Sequence, residues 1–358
     1  VTISSKLPHS YVSLCHKILL KFWRPPADNR GTERSRTISH QPPTQSSRRA
    51  LLSVCIILIL TGSTVTTAKP AEPSSVHRSL VQVFTTANPP DHFAPWRRMG
   101  PIPSSGSGVI ISDRRVLTAA HVVADQVTVE VRRAGDSRRY TAEVDHVCHV
   151  CDLAVLKVEN AAFYEGSQAL EIGELPSLQQ AVEIHGFPKG GSGLAITSGI
   201  VSRIAVDYYV HSLTALLLVQ VDAAVNAGNS GGPAISNGKI VGIAMQMLED
   251  AENIGYIVPA PIIRHFLKDI EDDRFDGFPE LGVWVQSLHN SALRSSLGLQ
   301  QAGGGVLVSA VSTTGGASQV LEPGDVLLAI AGVTIGSDNA IELGEGVRVD
   351  ATFLEHTA

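Results

Sequence analysis

Three side chains of the 358-residue chain have the types and order that acyl-transfer chemistry needs. His121 lies in "VLTAAHVV", Asp152 in "CDLAVLKV" and Ser230 in "NAGNSGGPAI". A serine hydroxyl is a weak nucleophile until an adjacent base takes its proton. Histidine is the base whose ordinary pKa suits that task near neutral pH. A carboxylate then fixes the imidazole tautomer and stabilises the imidazolium that forms. The glycines around Ser230 admit backbone conformations that a side chain forbids. They let the turn Gly228, Asn229 and Ser230 present amide groups to a developing oxyanion, each such donor contributing roughly 2.7–4 kcal/mol. Each motif alone has a plainer explanation: a packed histidine, a turn-capping aspartate, a hairpin turn. Their joint occurrence, in the order His, Asp, Ser, favours the catalytic reading.

The elements that must hold these residues are short strands. "GSGVIIS", "QVTVEVRR", "RRYTAEVDHV", "DLAVLKVE", "AVEIHGFP", "ITSGIVSRIAV", "LLLVQVDAAV", "KIVGIAMQ" and "NIGYIVP" alternate with turn signals, the pattern of an all-β barrel or sandwich. One segment, "APIIRHFLKDIEDD", has Pro261 near its start and apolar residues at helical spacing, so a closing helix is expected there. "FDGFPE" then reads as a linker. From Leu281 a smaller unit follows, "LGVWVQSL", "GVLVSAV" and "LEPGDVLLAIAGVTI", with no obvious final strand before Ala358.

Composition narrows the class. A net charge of −6 leaves no excess of Lys and Arg to neutralise phosphates, so no nucleic-acid partner is expected. Four cysteines, Cys15, Cys55, Cys148 and Cys151, are too few for a disulfide scaffold. Cys148 and Cys151 form a CxxC near His146 and His149, but a structural zinc wants four ligands, so a buried reduced pair is expected and no cofactor or metal. Residues 1–49 are rich in Ser, Arg, Pro and Thr and read as disordered. Residues 50–62 are an apolar run behind two arginines, short for a membrane span. They read as the core of a secretory or organelle presequence, or as a short membrane anchor. The chain begins with Val1 and its first methionine is Met99, so it reads as a piece of a longer frame.

"TAAHVV", "DLAVLKV" and "GNSGGPAI" resemble the trypsin-like serine proteases of the HtrA/Deg family, plant and algal Deg proteases above all. "SGSGVIIS", "ITSGIVSRI", "VQVDAAVNAGNSGGP" and "NIGYIVPAPII" extend the resemblance over roughly 79–272. It implies an all-β fold: a trypsin-like double β-barrel (chymotrypsin fold) over 79–275, then a PDZ domain over 279–358 that looks incomplete, with 1–75 as the targeting region. It implies that Leu281, Gly282 and Val283 capture a peptide C-terminus by backbone N–H groups while the peptide adds a strand. The base of the specificity pocket falls on Ala224, six residues before Ser230, with Ile243 and Ala244 on the facing strand. No carboxylate stands there, so cleavage after small or medium aliphatic residues is expected. Two switch segments are implied, 205–216 and 247–255, and trimer-based homo-oligomers with "HFAPWRRMG" at the contacts. The expected activity is ATP-independent proteolysis of misfolded or damaged polypeptides in an organelle or the secretory pathway. The competing readings are a non-catalytic PDZ-bearing chaperone on a protease fold, and a cysteine or zinc hydrolase built on Cys148 and Cys151.

Overall fold

The alternating apolar runs between Leu80 and Pro259 close into two six-stranded barrels. The first uses β1 (Leu80–Ala87), β2 (Ile102–Ile111), β3 (Arg115–Thr118), β4 (Gln126–Arg133), β5 (Tyr140–Cys148) and β6 (Leu153–Lys157). The second uses β7 (Ala181–Gly186), β8 (Ala195–Tyr208), β9 (Ala215–Val221), β10 (Pro233–Ser236), β11 (Lys239–Met247) and β12 (Gly255–Pro259). Both follow one cyclic order, first, second, third, sixth, fifth, fourth, with antiparallel pairing throughout. Closure leaves neither sheet an unpaired edge. These features come from a computed structural model, which describes residues 76–189, 193–247, 254–300, 303–344 and 346–356. The apolar run 50–62, Cys15, Cys55 and most of the segment 247–255 lie outside the described residues.

The period of two along a strand decides how the barrels meet. On β2, β3 and β6, Ile110, Val116, Ala154 and Leu156 point into the first barrel with Val81, Val83, Val131 and Phe163. The residues between them, Val109, Ile111, Leu117, Leu153 and Val155, point outward into one cluster with Ile184, Leu218, Val221 and Ile243 of the second barrel. These strands are therefore buried on both faces, which is why "LAVL" reads as a continuous apolar run.

The nine strands read from sequence are all present, as β2, β4–β9, β11 and β12. Three more appear: β1, β3 and β10. The last two are four residues long, and β10 begins on Pro233. The expected closing helix is α1 (Ala260–Asp269), which buries Ile262, Ile263 and Phe266 and has its proline at the first turn. Beyond it come β13 (Val283–Ser287), α2 (Ser291–Ser296), β14 (Val306–Val311), β15 (Val326–Leu327), β16 (Ala329–Ile330) and β17 (Val333–Thr334). The sequence pattern showed no strand after these, but a hairpin of β18 (Ala340–Gly344) and β19 (Val347–Asp350) follows, then α3 (Thr352–Glu355). Its strands bury Ile341, Val347 and Val349.

Leu117 sits wholly buried in the cluster that joins the barrels. Leu117→Ala is expected to cost about 2–5 kcal/mol in urea unfolding. Val127→Ala, at a residue 60% exposed on β4, should stay within about 0.5 kcal/mol.

Candidate functional site

Asp152 occupies the turn between β5 and β6 with a φ of +53°, a conformation aspartate tolerates better than most residues. Its carboxylate is 1% exposed and makes two bonds to one residue. Oδ2 lies 2.7 Å from His121 Nδ1, and Oδ1 accepts the His121 backbone N–H at 2.9 Å. The Asp152 carbonyl also accepts from Ala120 N. The helical turn Ala120–Val122 is thus pinned to the β5–β6 turn at three points, and Nδ1 is committed to the carboxylate.

Ser230 is carried by the turn between β9 and β10, in the other barrel. Ser107 of β2 fastens that turn across the seam. Its amide donates to Ser230 O at 2.8 Å, its hydroxyl donates to Gly228 O at 2.7 Å, and the same oxygen accepts from Phe187 N at 2.8 Å. The approach is close enough that a Cβ on Gly231 (φ +81°) would lie 2.3 Å from Ser107 O; within its own barrel, one on Gly232 would lie 2.1 Å from His185 O of β7. Gly228 has φ +98° and faces the Phe187 carbonyl. Of the three residues expected at the oxyanion turn, Asn229 spends its amide on Asn226 O. Among the described residues, the Gly228 and Ser230 amides donate to no protein acceptor.

Ser230 Oγ makes no hydrogen bond to His121. Its partner is Met245 O at 3.4 Å, at the long limit of such a bond. The face of His121 is covered instead by His211, whose ring stacks on it at 4.5 Å between centroids and 21° between planes. His211 stands on the turn joining β8 to β9. Tyr209 anchors that turn: it is fully buried, its hydroxyl donates to Leu217 O at 2.7 Å, and its amide and carbonyl pair with Thr214 and Leu213. Burial pushes the Tyr209 hydroxyl well above its ordinary pKa, with the charges of Cys151 and Asp152 adding to the effect. Burial lowers that of His211.

The residues expected to form a specificity pocket lie around the turn that carries Ser230. Ala224 is half-buried and its carbonyl accepts the Thr197 hydroxyl at 2.8 Å. Ile243 and Ala244 are fully buried on β11, and Ala244 pairs with Gly231 and Gly232 beside the nucleophile turn. Gly255 faces Val225 with no room for a side chain. Cys148 and Cys151 are free, fully buried thiols 2.6 Å apart, with burial raising Cys151 well above its ordinary pKa. Gly282 and Val283 border a cleft of roughly 460 Å³ shared with Tyr208, Leu213, Trp284 and Glu355, and Leu281 precedes them in the chain. There the Leu281 amide already donates to the Glu355 carboxylate of α3 at 2.7 Å.

A family profile described as trypsin-like peptidase domain matches residues 106–243. Putative protease Do-like 3, mitochondrial, of Arabidopsis thaliana is 41% identical over 272 residues, covering 76% of this chain and 49% of its own length. Putative protease Do-like 6, chloroplastic, of the same plant is 35% identical over 153 residues, covering 43% of this chain and 69% of its own. The solved structure titled HtrA-type protease AlgW with decapeptide aligns with a TM-score of 0.55 at 27% identity, covering 72% of this chain and 83% of that one. The chain spans about half the length of the longer curated relatives it matches.

Sequence reasoning did not single out Ser107 or His211. Ser107 stands inside "SGSGVIIS", whose two flanking glycines were its one local signal. His211 lies in a segment expected to be a switch, without a partner that sequence could name. Ser107→Ala would strand two buried backbone groups, Phe187 N–H and Gly228 O, at about 1–3 kcal/mol. Urea unfolding should register that loss, and amide exchange at Gly231 and Gly232 should quicken.

Proposed function

We propose, for a chain that belongs to the Do-like (HtrA/Deg) family of trypsin-like serine proteases, that Ser230, His121 and Asp152 hydrolyse peptide bonds of unfolded or damaged polypeptides without ATP. The observation that carries this reading is the double hydrogen bond between the buried Asp152 carboxylate and His121. Because Nδ1 is held by Asp152, Nε2 is the nitrogen left to receive the Ser230 proton. Ser230 Oγ turns about χ1 from Met245 O to His121, giving up only a bond of 3.4 Å. It then attacks the scissile carbonyl. The oxygen of the tetrahedral intermediate takes the Gly228 and Ser230 amides, which no acceptor among the described residues engages. His121 passes its proton to the leaving amine, and Asp152 stabilises the imidazolium in between. Water repeats the sequence on the acyl-enzyme. None of these steps calls on a cofactor.

Ala224, with Ala223 and Val225 buried beside it, supports cleavage after small or medium aliphatic residues. The unit from Leu281 onward is read as a PDZ domain whose loop Leu281–Val283 takes a peptide C-terminus. Phe93, Trp96 and Met99, 100%, 84% and 68% exposed, are offered as contacts of a trimer-based homo-oligomer. The names of the relatives support an organelle, mitochondrion or chloroplast. Among the described residues no helix is long and apolar enough to cross a membrane. The absence of a hydrogen bond between Ser230 and His121 favours a second reading, a non-catalytic chaperone or scaffold on the same fold, although such bonds often tighten only when substrate is present.

One assay separates the two. The purified chain is expected to cleave an unfolded casein, with mass spectrometry placing the cuts after Val, Ala and Ile. Ser230→Ala should abolish cleavage, and Asp152→Asn should lower kcat by about 10⁴-fold. Full cleavage by Ser230→Ala would end the proteolytic reading. In the PDZ reading, a peptide carboxylate must displace Glu355 from Leu281. Glu355→Gln removes that like charge and is expected to tighten binding of a C-terminal peptide about five- to tenfold by fluorescence anisotropy. Unchanged or weaker binding would count against the assignment of the loop.

A further inference from the structure

His121, Asp152 and His211 bring two imidazoles and one carboxylate together. One nitrogen of each ring and one Asp152 oxygen all lie within 4.8 Å of one another. We propose that these three residues form a reversible binding site for a divalent zinc ion and, resting on the proteolytic reading above, that zinc bound there switches off His121 as the base.

The donor set selects the cation. Two imidazoles and a carboxylate suit zinc and its late first-row neighbours, whereas magnesium and calcium favour all-oxygen shells. Three protein ligands with one position left to water is a common arrangement for zinc with open coordination. Two donors that share a zinc at about 2.0–2.1 Å in tetrahedral geometry lie roughly 3.4 Å apart. Asp152 Oδ2 and His121 Nδ1 stand 2.7 Å apart and would open slightly, while no separation in the set exceeds 4.8 Å, so the others close by little more than an ångström at most. The residue that has to move is free to do so, since His211 is exposed on a turn and its ring leaves the stack by rotating about χ1 and χ2. The anchor of the turn, Tyr209, stays where it is.

Charge and accessibility favour the same site. Asp152 is the one fully buried carboxylate among the described residues, and its hydrogen bonds come from a single neighbour. A divalent cation would gain strongly from that uncompensated charge, and it can enter from the His211 side. Cys148 and Cys151, the other soft donors nearby, are buried and sequestered against each other behind Asp152.

The consequence for chemistry does not depend on which nitrogen of His121 is taken. If zinc takes Nδ1, it replaces the proton that His121 shares with Asp152 and the ring loses its orientation. If zinc takes Nε2, the lone pair that must accept the Ser230 proton is occupied. Either way the hydroxyl loses its base, while the barrels and the oxyanion turn stay unchanged. His211 would then set the zinc sensitivity of the enzyme without belonging to the proteolytic machinery.

Binding can be read without any activity. The full chain carrying Ser230→Ala is titrated with zinc by calorimetry, and with cobalt(II) by visible absorption. The expected result is one ion per chain and a four-coordinate cobalt band. Adding His211→Ala to that background should weaken zinc by at least about tenfold, the smallest effect usual for losing a group that supports a metal. His211→Gln should do the same, and melting temperatures verify that each variant is folded. In the chain with Ser230 intact, zinc at a matching concentration should stop casein cleavage and a chelator should restore it. Zinc affinity unchanged by both His211 substitutions, or no binding to the Ser230→Ala chain, would overturn the proposal.

Discussion

The architecture depends on how closely the turn that carries Ser230 in one barrel lies against β2 of the other. Ser107 donates to two carbonyls of that turn and accepts from Phe187, so one buried side chain ties three backbone segments across the seam. The contact leaves no space for a Cβ at Gly231, and the His185 carbonyl of β7 leaves none at Gly232. This is why glycines surround Ser230, and it decides where Ser230 stands relative to His121. The apolar cluster around Leu117, Val155, Val221 and Ile243 supplies the attraction between the barrels. The polar stitch supplies the register. Apolar burial alone is non-directional and would hold the barrels together without fixing a hydroxyl to within an ångström.

Much of this was legible in the sequence because its signals are local. Residue types and chain order at His121, Asp152 and Ser230 carried the chemistry. Period-two alternation and doubly buried runs such as "LAVL" and "LLLV" carried nine strands. What stayed hidden is non-local. β3 and β10 are four residues long, and each closes its barrel by pairing on one side with a distant strand, β6 and β7. β1 is a long run, yet its reason for being a strand is pairing on both sides, with β2 and β4. The hairpin of β18 and β19 was masked by Gly344 and Gly346, which break a short alternating pattern into pieces. Ser107 and His211 matter through partners 80 or more residues away in the chain, and no spacing rule reaches that far. Asn229 shows the reverse limit. Its neighbours made it look like part of the oxyanion turn, but its amide closes a tight turn with Asn226.

The turn between β8 and β9 gives the site its particular character. Tyr209 roots it in the core beside Cys151 and Asp152. His211 lies flat on His121. Tyr208 and Leu213, on either side, border the cleft that Gly282, Val283 and Trp284 line from the C-terminal unit. A few residues thus connect the base of the proposed reaction to the proposed peptide groove. Both ends already hold an internal occupant, an imidazole ring over His121 and the Glu355 carboxylate on the Leu281 amide. A substrate or peptide meeting this arrangement has to exchange contacts rather than fill empty space.

The central claim is that Ser230 is a nucleophile beside a working oxyanion turn. A fluorophosphonate tests it directly, because its reaction needs both and leaves a covalent mark. Intact mass spectrometry of the full chain should show one phosphonyl adduct, and peptide mapping should place it on Ser230, with no adduct on the Ser230→Ala chain. An adduct on another residue, or none on a chain that is folded and free of metal, would contradict the account.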